Sequence, residues 1–248
     1  MNAPAKVALK SDCSSCPIRH RAVCANCEPD ELRELERMKS YRSVNAGETI
    51  LYADDDMPFV ASIVTGVASL SKTLEDGRRQ MVGLLLPSDF IGRPGRSIAP
   101  FDVVAATDVL LCQFQRPAFE GLLARSPAIG SRLLEMTLDE LDAARDWMVL
   151  LGRKTAREKI ASLLAIVARR QEKIVGEAQH GHMVFDLHLT RETMADYLGL
   201  TIETVSRQIT ALRKDGVIVL EGNRTVAVPD YARLLDEAGE DGDGAPLS

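Results

Sequence analysis

The feature that most constrains the fold of this chain is a change of rhythm at Pro117. Upstream, Val, Ile, Leu and Thr gather in short runs over residues 43–52, 59–74, 78–86 and 103–114. Gly47, Gly66, Asp76-Gly77, Pro87 and the stretch from Gly92 to Gly95 punctuate them. Short strands recurring at about 8–12 residues predict an antiparallel roll or sandwich. Asp76-Gly77 predicts a hairpin turn, because glycine accepts positive φ. Downstream the period becomes helical. Residues 118–124 read as a short helix, and Pro127 opens a long one that Gly152 is expected to break. Residues 153–170 give a further amphipathic helix with Ala156, Ile160, Leu163, Leu164 and Val167 inward.

The long helix carries two apolar stripes. One runs through Ile129, Leu133, Met136, Ala143, Trp147 and Leu150 on a 4-3 rhythm broken by Glu140; the other through Leu134, Leu141, Ala144, Met148 and Leu151. Two stripes suit two partners, the chain's own roll and a second copy of the helix. A single wide core face is the alternative. Met136, Glu140, Ala143, Trp147 and Leu150 are the expected dimerisation residues. The helix is also acidic, with Glu135, Asp139, Glu140, Asp142 and Asp146 against Arg132 and Arg145. Two copies side by side bring like charges together and make dimerisation marginal; acids that simply face water are the plain alternative.

Residues 189–214, LTRETMADYLGLTIETVSRQITALRK, fit a helix-turn-helix. Ala195 is small where two helices must cross, Gly199 supplies the turn, and Thr201 can cap the second helix by accepting from its free N–H groups. Ile202, Val205, Ile209 and Leu212 form the expected buried stripe, which turns Glu203, Ser206, Arg207 and Thr210 outward. Glu203 and Arg207 share a face near the helix N-terminus, where a recognition helix meets base edges. Arginine suits the O6/N7 edge of guanine, and a carboxylate accepts from an exocyclic amine. A solvated Glu–Arg pair is the bland reading of the same spacing. A strand over 183–189 precedes the unit, and a hairpin of 217–220 with 225–228 follows it as a wing.

Charge agrees with that placement. The net charge is −6, yet residues 153–233 carry thirteen Lys and Arg against ten acids, net +3, between an acidic body and a tail whose last fifteen residues hold five acids and no base. A local positive segment is where a nucleic acid is expected. The tail reads as disordered. No run reaches the roughly 18 apolar residues of a membrane span. The N-terminus has no secretory h-region, so the protein is expected in the cytoplasm. Nucleotide-binding loops, H-E-x-x-H and G-x-S-x-G are absent from the sequence, which argues against an enzyme.

Five cysteines remain. Cys13, Cys16, Cys24 and Cys27 lie within fifteen residues, and Cys112 stands alone in the apolar run 109–114. In a cytosolic chain such a cluster points to metal binding or redox chemistry rather than a disulfide framework. The segment lacks the apolar content to fold alone, so metal is expected to order it. His20 lies inside it and reads as a solvated loop residue, while His180, His182 and His188 belong to the downstream half. A four-thiolate zinc site of Cys13, Cys16, Cys24 and Cys27 is one reading, although the seven-residue gap is short for paired C-x2-C zinc sites. Cys112 would then be a buried apolar thiol.

A roll, a long helix and a winged helix-turn-helix, in that order, resemble the CRP/FNR superfamily of transcription regulators over residues 29–232. Glu203-x-x-Ser206-Arg207 resembles the E-x-x-S-R signature of its FNR branch, whose members read TTGAT half-sites in an inverted repeat. The resemblance implies that Glu203, Ser206 and Arg207 read bases in double-stranded palindromic DNA. Cys13-x2-Cys16-x7-Cys24 with Cys112 resembles the ligand set of FNR-type oxygen sensors, and its long gap resembles the alphaproteobacterial FnrL and FnrN group. The resemblance thus implies a [4Fe–4S] cluster on Cys13, Cys16, Cys24 and Cys112, with Cys27 the alternative third ligand. It implies an oxygen-labile switch of a homodimer, and contact with RNA polymerase through exposed turns of the roll, for which Glu75, Asp76 and Arg78 are candidates. Relatives that bind cyclic AMP have a Gly-Glu pair and a phosphate-holding arginine. Here Gly92 precedes Arg93, and residues 102–106 are DVVAA, so no cyclic nucleotide is expected.

The expected fold class is therefore α+β, with an N-terminal β-roll sensor domain of the jelly-roll, double-stranded β-helix type. The expected division is a cysteine-rich cluster-binding segment (1–28), the roll (29–126), the dimerisation helix (127–152), a winged helix-turn-helix domain (153–232) and an acidic disordered tail (233–248).

Overall fold

The computed structural model describes residues 12–77, 79–175, 181–222 and 225–239. It opens on a 3-10 turn at Cys13–Ser15, then turns through residue 26 to helix α1 (Pro29–Met38). This helix is not foreseen in the strand-rich reading of 29–126. Pro29 starts it, Asp30 and Glu31 sit at its positive end, and the Glu28 N–H donates to the Glu31 carboxylate at 2.9 Å. It buries Leu32 and Leu35.

The roll follows: β1 (Ser40–Val44), β2 (Thr49–Leu51), β3 (Phe59–Thr65), β4 (Ala68–Thr73), β5 (Arg79–Leu85), β6 (Phe90–Ile91), β7 (Asp102–Ala105) and β8 (Val109–Gln115). They form two antiparallel sheets, β1-β8-β3-β6 and β2-β7-β4-β5. Ile50, Ala61, Ile63, Val103 and Leu111 fill the space between them. The expected run 59–74 is two strands in different sheets. The chain changes sheet at Gly66, where φ is +86° and a Cβ would meet the Asp108 carbonyl oxygen at 2.2 Å; a side chain there would force the two turns apart. The hairpin expected at Asp76-Gly77 joins β4 to β5, with Thr73 opposite Arg79.

Helix α2 (Arg116–Leu123) packs Phe119 against β3 and β8 in a second cluster shared with α1, and the Phe119 ring centroid lies 5.6 Å from Phe90 and 5.8 Å from Phe114. Helix α3 (Pro127–Arg153) is capped by Ser126, whose hydroxyl accepts from the Ile129 N–H at 3.3 Å. Gly152 does not break it. The helix runs on to Arg153 and stops where Lys154 turns extended. A helical glycine costs only about 0.5–1 kcal/mol, too little to end 27 residues of helix.

The C-terminal half comprises α4 (Ala156–Val175), β9 (Met183–Asp186), α5 (Arg191–Leu198), α6 (Ile202–Lys214), β10 (Val219–Glu221), β11 (Thr225–Val228) and α7 (Tyr231–Ala238), with sheet order β10-β11-β9. Ile160, Leu164, Met194, Leu198, Val205, Leu212 and Leu234 share one core. Val67 and Leu86 of the roll belong to that same core, and Arg170 of α4 pairs with Asp89 of the roll at 2.5 Å. Helix α7 corrects the expectation of disorder from residue 233. Asp230 caps it by accepting from the Arg233 N–H, Leu234 and Ala238 are buried, and Glu237 takes a two-pronged bond from Arg157 at 2.6 and 2.8 Å. Residues 240–248 of the expected tail lie outside the described residues.

Candidate nucleic-acid interface and metal centre

The helix-turn-helix is built locally. Thr190 and Thr201 cap α5 and α6, their hydroxyls accepting from the N–H groups of Thr193 (3.0 Å) and Thr204 (3.2 Å). Between them Gly199 adopts the left-handed conformation at φ +61°, and its N–H returns to the Ala195 carbonyl. Ala195 is buried at the crossing, and Val205, Ile209 and Leu212 turn inward. Ile202, expected in that stripe, is exposed; it is the first residue of α6 and precedes the turn that packs. Glu203, Ser206, Arg207 and Thr210 all face out. Arg207 leans toward the Thr204 hydroxyl at 3.4 Å. Backbone N–H and Thr201 hydroxyl bonds hold the Glu203 carboxyl below the usual range, so it stays an acceptor. The free N-terminal turn of α6 thus presents an anion, a hydroxyl and a guanidinium on one open face.

The cysteines come from three places. Cys13 sits in the 3-10 turn beneath α1, Cys16 and Cys24 flank the turns that follow, and Cys112 lies mid-strand in β8 opposite Tyr41 and Ser62. Cys13, Cys16, Cys24 and Cys112 line one small cavity with Ile18, Ala22, Tyr41 and Phe114; Cys27 does not line it. Burial and neighbouring thiols push Cys24 up to about 11 and Cys112 up to about 12. Burial, then Cys24, pushes Cys27 up to about 12 as well. Buried thiols such as Cys24 and Cys112 carry negative charge together only beside a cation. Among the described residues, no three His, Cys, Asp or Glu side chains already converge into a formed metal site. The donor set and its cavity nonetheless fit a thiolate-ligated metal centre. The segment also brings apolar anchors of its own: Ile18, Ala22 and Val23 are buried, Ile18 and Ala22 in one cluster with Val64.

One contact ties this segment to the long helix. Arg132 of α3 donates to the Arg21 carbonyl at 2.5 Å while holding Glu135 at 3.0 Å. Of the expected dimerisation residues, Leu150 is 3% exposed within the chain's own core, Trp147 stacks on Tyr197 at 4.0 Å, and Met136 packs on the cluster that holds Phe119 and Ile129. Ala143 is half-buried, and Glu140 is exposed at the cavity wall that it shares with Asp89 and Arg170 of the same chain. Leu150, Trp147 and Met136 thus make contacts within the chain, while Glu140 stays exposed and Ala143 half-buried. The apolar side chains left open are Leu134 (61%), Leu138, Leu141 and Met148 (64%). A cavity of about 690 Å³ separates the roll from α3, with Gly92, Arg93, Arg96, Phe101 and Glu140 in its wall. Glu75 and Asp76 are exposed on the β4–β5 turn; Arg78 lies outside the described residues.

Residues 158–237 match the Crp-like helix-turn-helix domain, and residues 41–126 match the cyclic nucleotide-binding domain. The chain is 65% identical over 232 residues to the transcriptional activator protein FnrL of Cereibacter sphaeroides, covering 94% of each chain. It belongs to the CRP/FNR family. Within that family it is 40% identical to the nitrogen fixation regulation protein FixK of Bradyrhizobium diazoefficiens, over 91% of this chain and 94% of that one. The structure of FixK2 from Bradyrhizobium japonicum superposes with a TM-score of 0.71 at 32% identity, covering 84% of this chain and 99% of that one. This CRP/FNR protein is accordingly a DNA-binding transcriptional activator of the FNR/FixK type and not an enzyme. Among the described residues, no helix is long and apolar enough to cross a membrane. Sequence reasoning missed α1, α7 and the Arg132–Arg21 contact. Each had a visible signal: Pro29 followed by Asp30 and Glu31 for α1, Asp230 and Gly239 at the two ends of α7, and Arg132 as one of three bases on an acidic helix.

Proposed function

We propose that this activator is a cytoplasmic oxygen sensor that binds a [4Fe–4S] cluster through Cys13, Cys16, Cys24 and Cys112. The observation that carries the reading is the shared cavity of those four thiols, with Cys27 outside it. When bound, the cluster supplies an oxygen-labile link between the N-terminal segment and strand β8. Arg132 then passes the position of that segment to α3 through the Arg21 carbonyl. Helix α3 pairs with a second copy through Leu134, Leu138, Leu141 and Met148, and the acids beside them keep that pairing weak. The dimer presents two copies of α6 to a TTGAT-type inverted repeat, with Glu203, Ser206 and Arg207 on base edges. Glu75 and Asp76 are candidate contacts to RNA polymerase. The cavity behind Gly92 takes no cyclic nucleotide in this reading, since Arg93 follows Gly92 and Asp102 opens the stretch where a phosphate-holding arginine is needed.

The test is iron, sulfide and zinc per chain in anaerobically purified variants. Cys112→Ser loses the cluster, because a hydroxyl is a harder and poorer ligand for iron, while Cys27→Ser keeps it. Full iron in Cys112→Ser with metal lost in Cys27→Ser overturns the ligand set; zinc in place of iron, kept in Cys112→Ser and lost in Cys27→Ser, favours a zinc site on the four N-terminal cysteines.

A further inference from the structure

The last turn of α1 grips Cys13 twice. The Glu36 carboxylate accepts from the Cys13 N–H at 3.3 Å, and the Lys39 ammonium donates to the Cys13 sulfur at 3.3 Å. Glu36 and Lys39 are three residues apart and 3.6 Å from each other, so one helical turn presents both charges to one residue. The Lys39 side chain is only 11% exposed, and its ammonium also lies 5.5 Å from the centre of the Tyr41 ring. Tyr41 in turn lines the thiol cavity and stands opposite Cys112.

Burying an ammonium costs free energy unless it is paired. A leucine or methionine would fill this place more cheaply if packing were all that it required. Here the charge is offset by a carboxylate, an aromatic face and a sulfur, and the sulfur is one of four that share a cavity. Among the described residues no cationic side chain donates a hydrogen bond to Cys16, Cys24 or Cys112, although the charge of Arg19 acts on Cys24. Cys13 is thus set apart from the other three.

We propose that Lys39 is a positioning residue of the metal centre: it orients the Cys13 sulfur and slows the attack of oxygen. The inference rests on the iron–sulfur reading above. A cation and an N–H···S bond at a ligand sulfur favour the more electron-rich state and raise the potential of an iron–sulfur site. An oxidant then removes an electron less readily. Glu36 keeps the lysine in place and anchors the backbone of the same cysteine, so the pair acts as one unit.

The experiment uses the full-length protein, reconstituted without oxygen from ferrous iron and sulfide. Lys39→Met and Lys39→Arg are compared with the parent by the decay of visible absorbance in air, and by iron loss to a chelator without oxygen. Lys39→Met is expected to bleach in air about tenfold faster, the lower end of what groups behind a metal ligand contribute. Its anaerobic loss to the chelator stays at the parent's rate, and Lys39→Arg, which keeps charge and donor, bleaches near the parent's rate. A Lys39→Met protein that bleaches at the parent's rate overturns the proposal. Equal acceleration in air and under the anaerobic chelator overturns it as well, because that is the mark of a merely loosened segment. A parent that takes up no iron and sulfide overturns the cluster reading and this inference together; a loaded parent with an indifferent lysine overturns this inference alone.

Discussion

The helix-turn-helix and the cysteine segment are both functional surfaces, but they are assembled on different scales. Everything that shapes the first lies within about twenty-five residues: two threonine caps, one left-handed glycine, one small crossing residue and three inward aliphatics. The second is completed only when residue 13, a turn of α1, strand β8 and helix α3 meet. A site of the first kind survives as long as its own core does. A site of the second kind depends on the whole N-terminal half being folded, and so is easier to make conditional.

The sharpest way to break this comparison is to delete matched apolar volume on each side. Leu198→Ala removes a fully buried side chain of the C-terminal core and is expected to lower the unfolding free energy by about 2–5 kcal/mol. Ile18→Ala removes an equally buried side chain that anchors only the cysteine segment. It is expected to leave the global urea midpoint nearly unchanged while amide exchange over residues 16–24 accelerates. A global loss as large as that of Leu198→Ala would mean the segment is part of the cooperative core.

A smaller effect tests the reading surface. Arg207 is exposed, and its guanidinium donates to the Thr204 hydroxyl of its own helix. Arg207→Ala is therefore expected to leave the fold intact and to cost about 1–3 kcal/mol of discrimination at one guanine per half-site. Titration with matched and mismatched inverted repeats measures it; unchanged discrimination removes Arg207 from the reading set.

The Arg157–Glu237 pair gives a pH test confined to the C-terminal half. The bond from Arg157 holds the Glu237 carboxyl below its ordinary range. Its stabilisation is thus complete above an unfolded value of about 4.3 and is lost as pH falls through the lower folded value. Glu237→Gln is expected to lower stability near pH 7 by about 1 kcal/mol and to flatten the decline between pH 5 and pH 3 in urea unfolding. A parallel decline in both proteins would show the pair to be silent. The smallest effect concerns the β4–β5 turn: Glu75→Gln with Asp76→Asn is expected to reduce transcription in vitro with RNA polymerase while leaving DNA affinity unchanged. Full transcription removes the turn from the candidate contacts.

The two regions also differ in how much of them the sequence exposes. The caps, the turn glycine and the outward residues Glu203, Ser206 and Arg207 are readable because each acts on neighbours a few positions away. The identity of the thiols is readable for the same reason, from C-x2-C spacing. Their neighbourhood is not, because it depends on strand register: nothing in the run 109–114 says that Cys112 stands opposite Tyr41 and Ser62. The long helix shows the same limit. Its two stripes are plain in the sequence, but which of them faces the body is decided by where α5 docks. Tyr197 meets Trp147, so at that position the stripe expected to face a partner packs on its own chain. Helix α7 was hidden by its charge, since Glu237 reads as part of an acidic tail until Arg157 is seen beside it.

The Arg132 contact has a consequence for how such proteins diverge. Its acceptor is a main-chain carbonyl, which every residue type at position 21 supplies equally. The side chain at position 21 can change without removing that acceptor, although the Arg21 guanidinium stands close enough to Arg132 to be repelled by it. A search for pairs of positions that change together can register that repulsion but not the main-chain hydrogen bond from α3 to the cysteine segment.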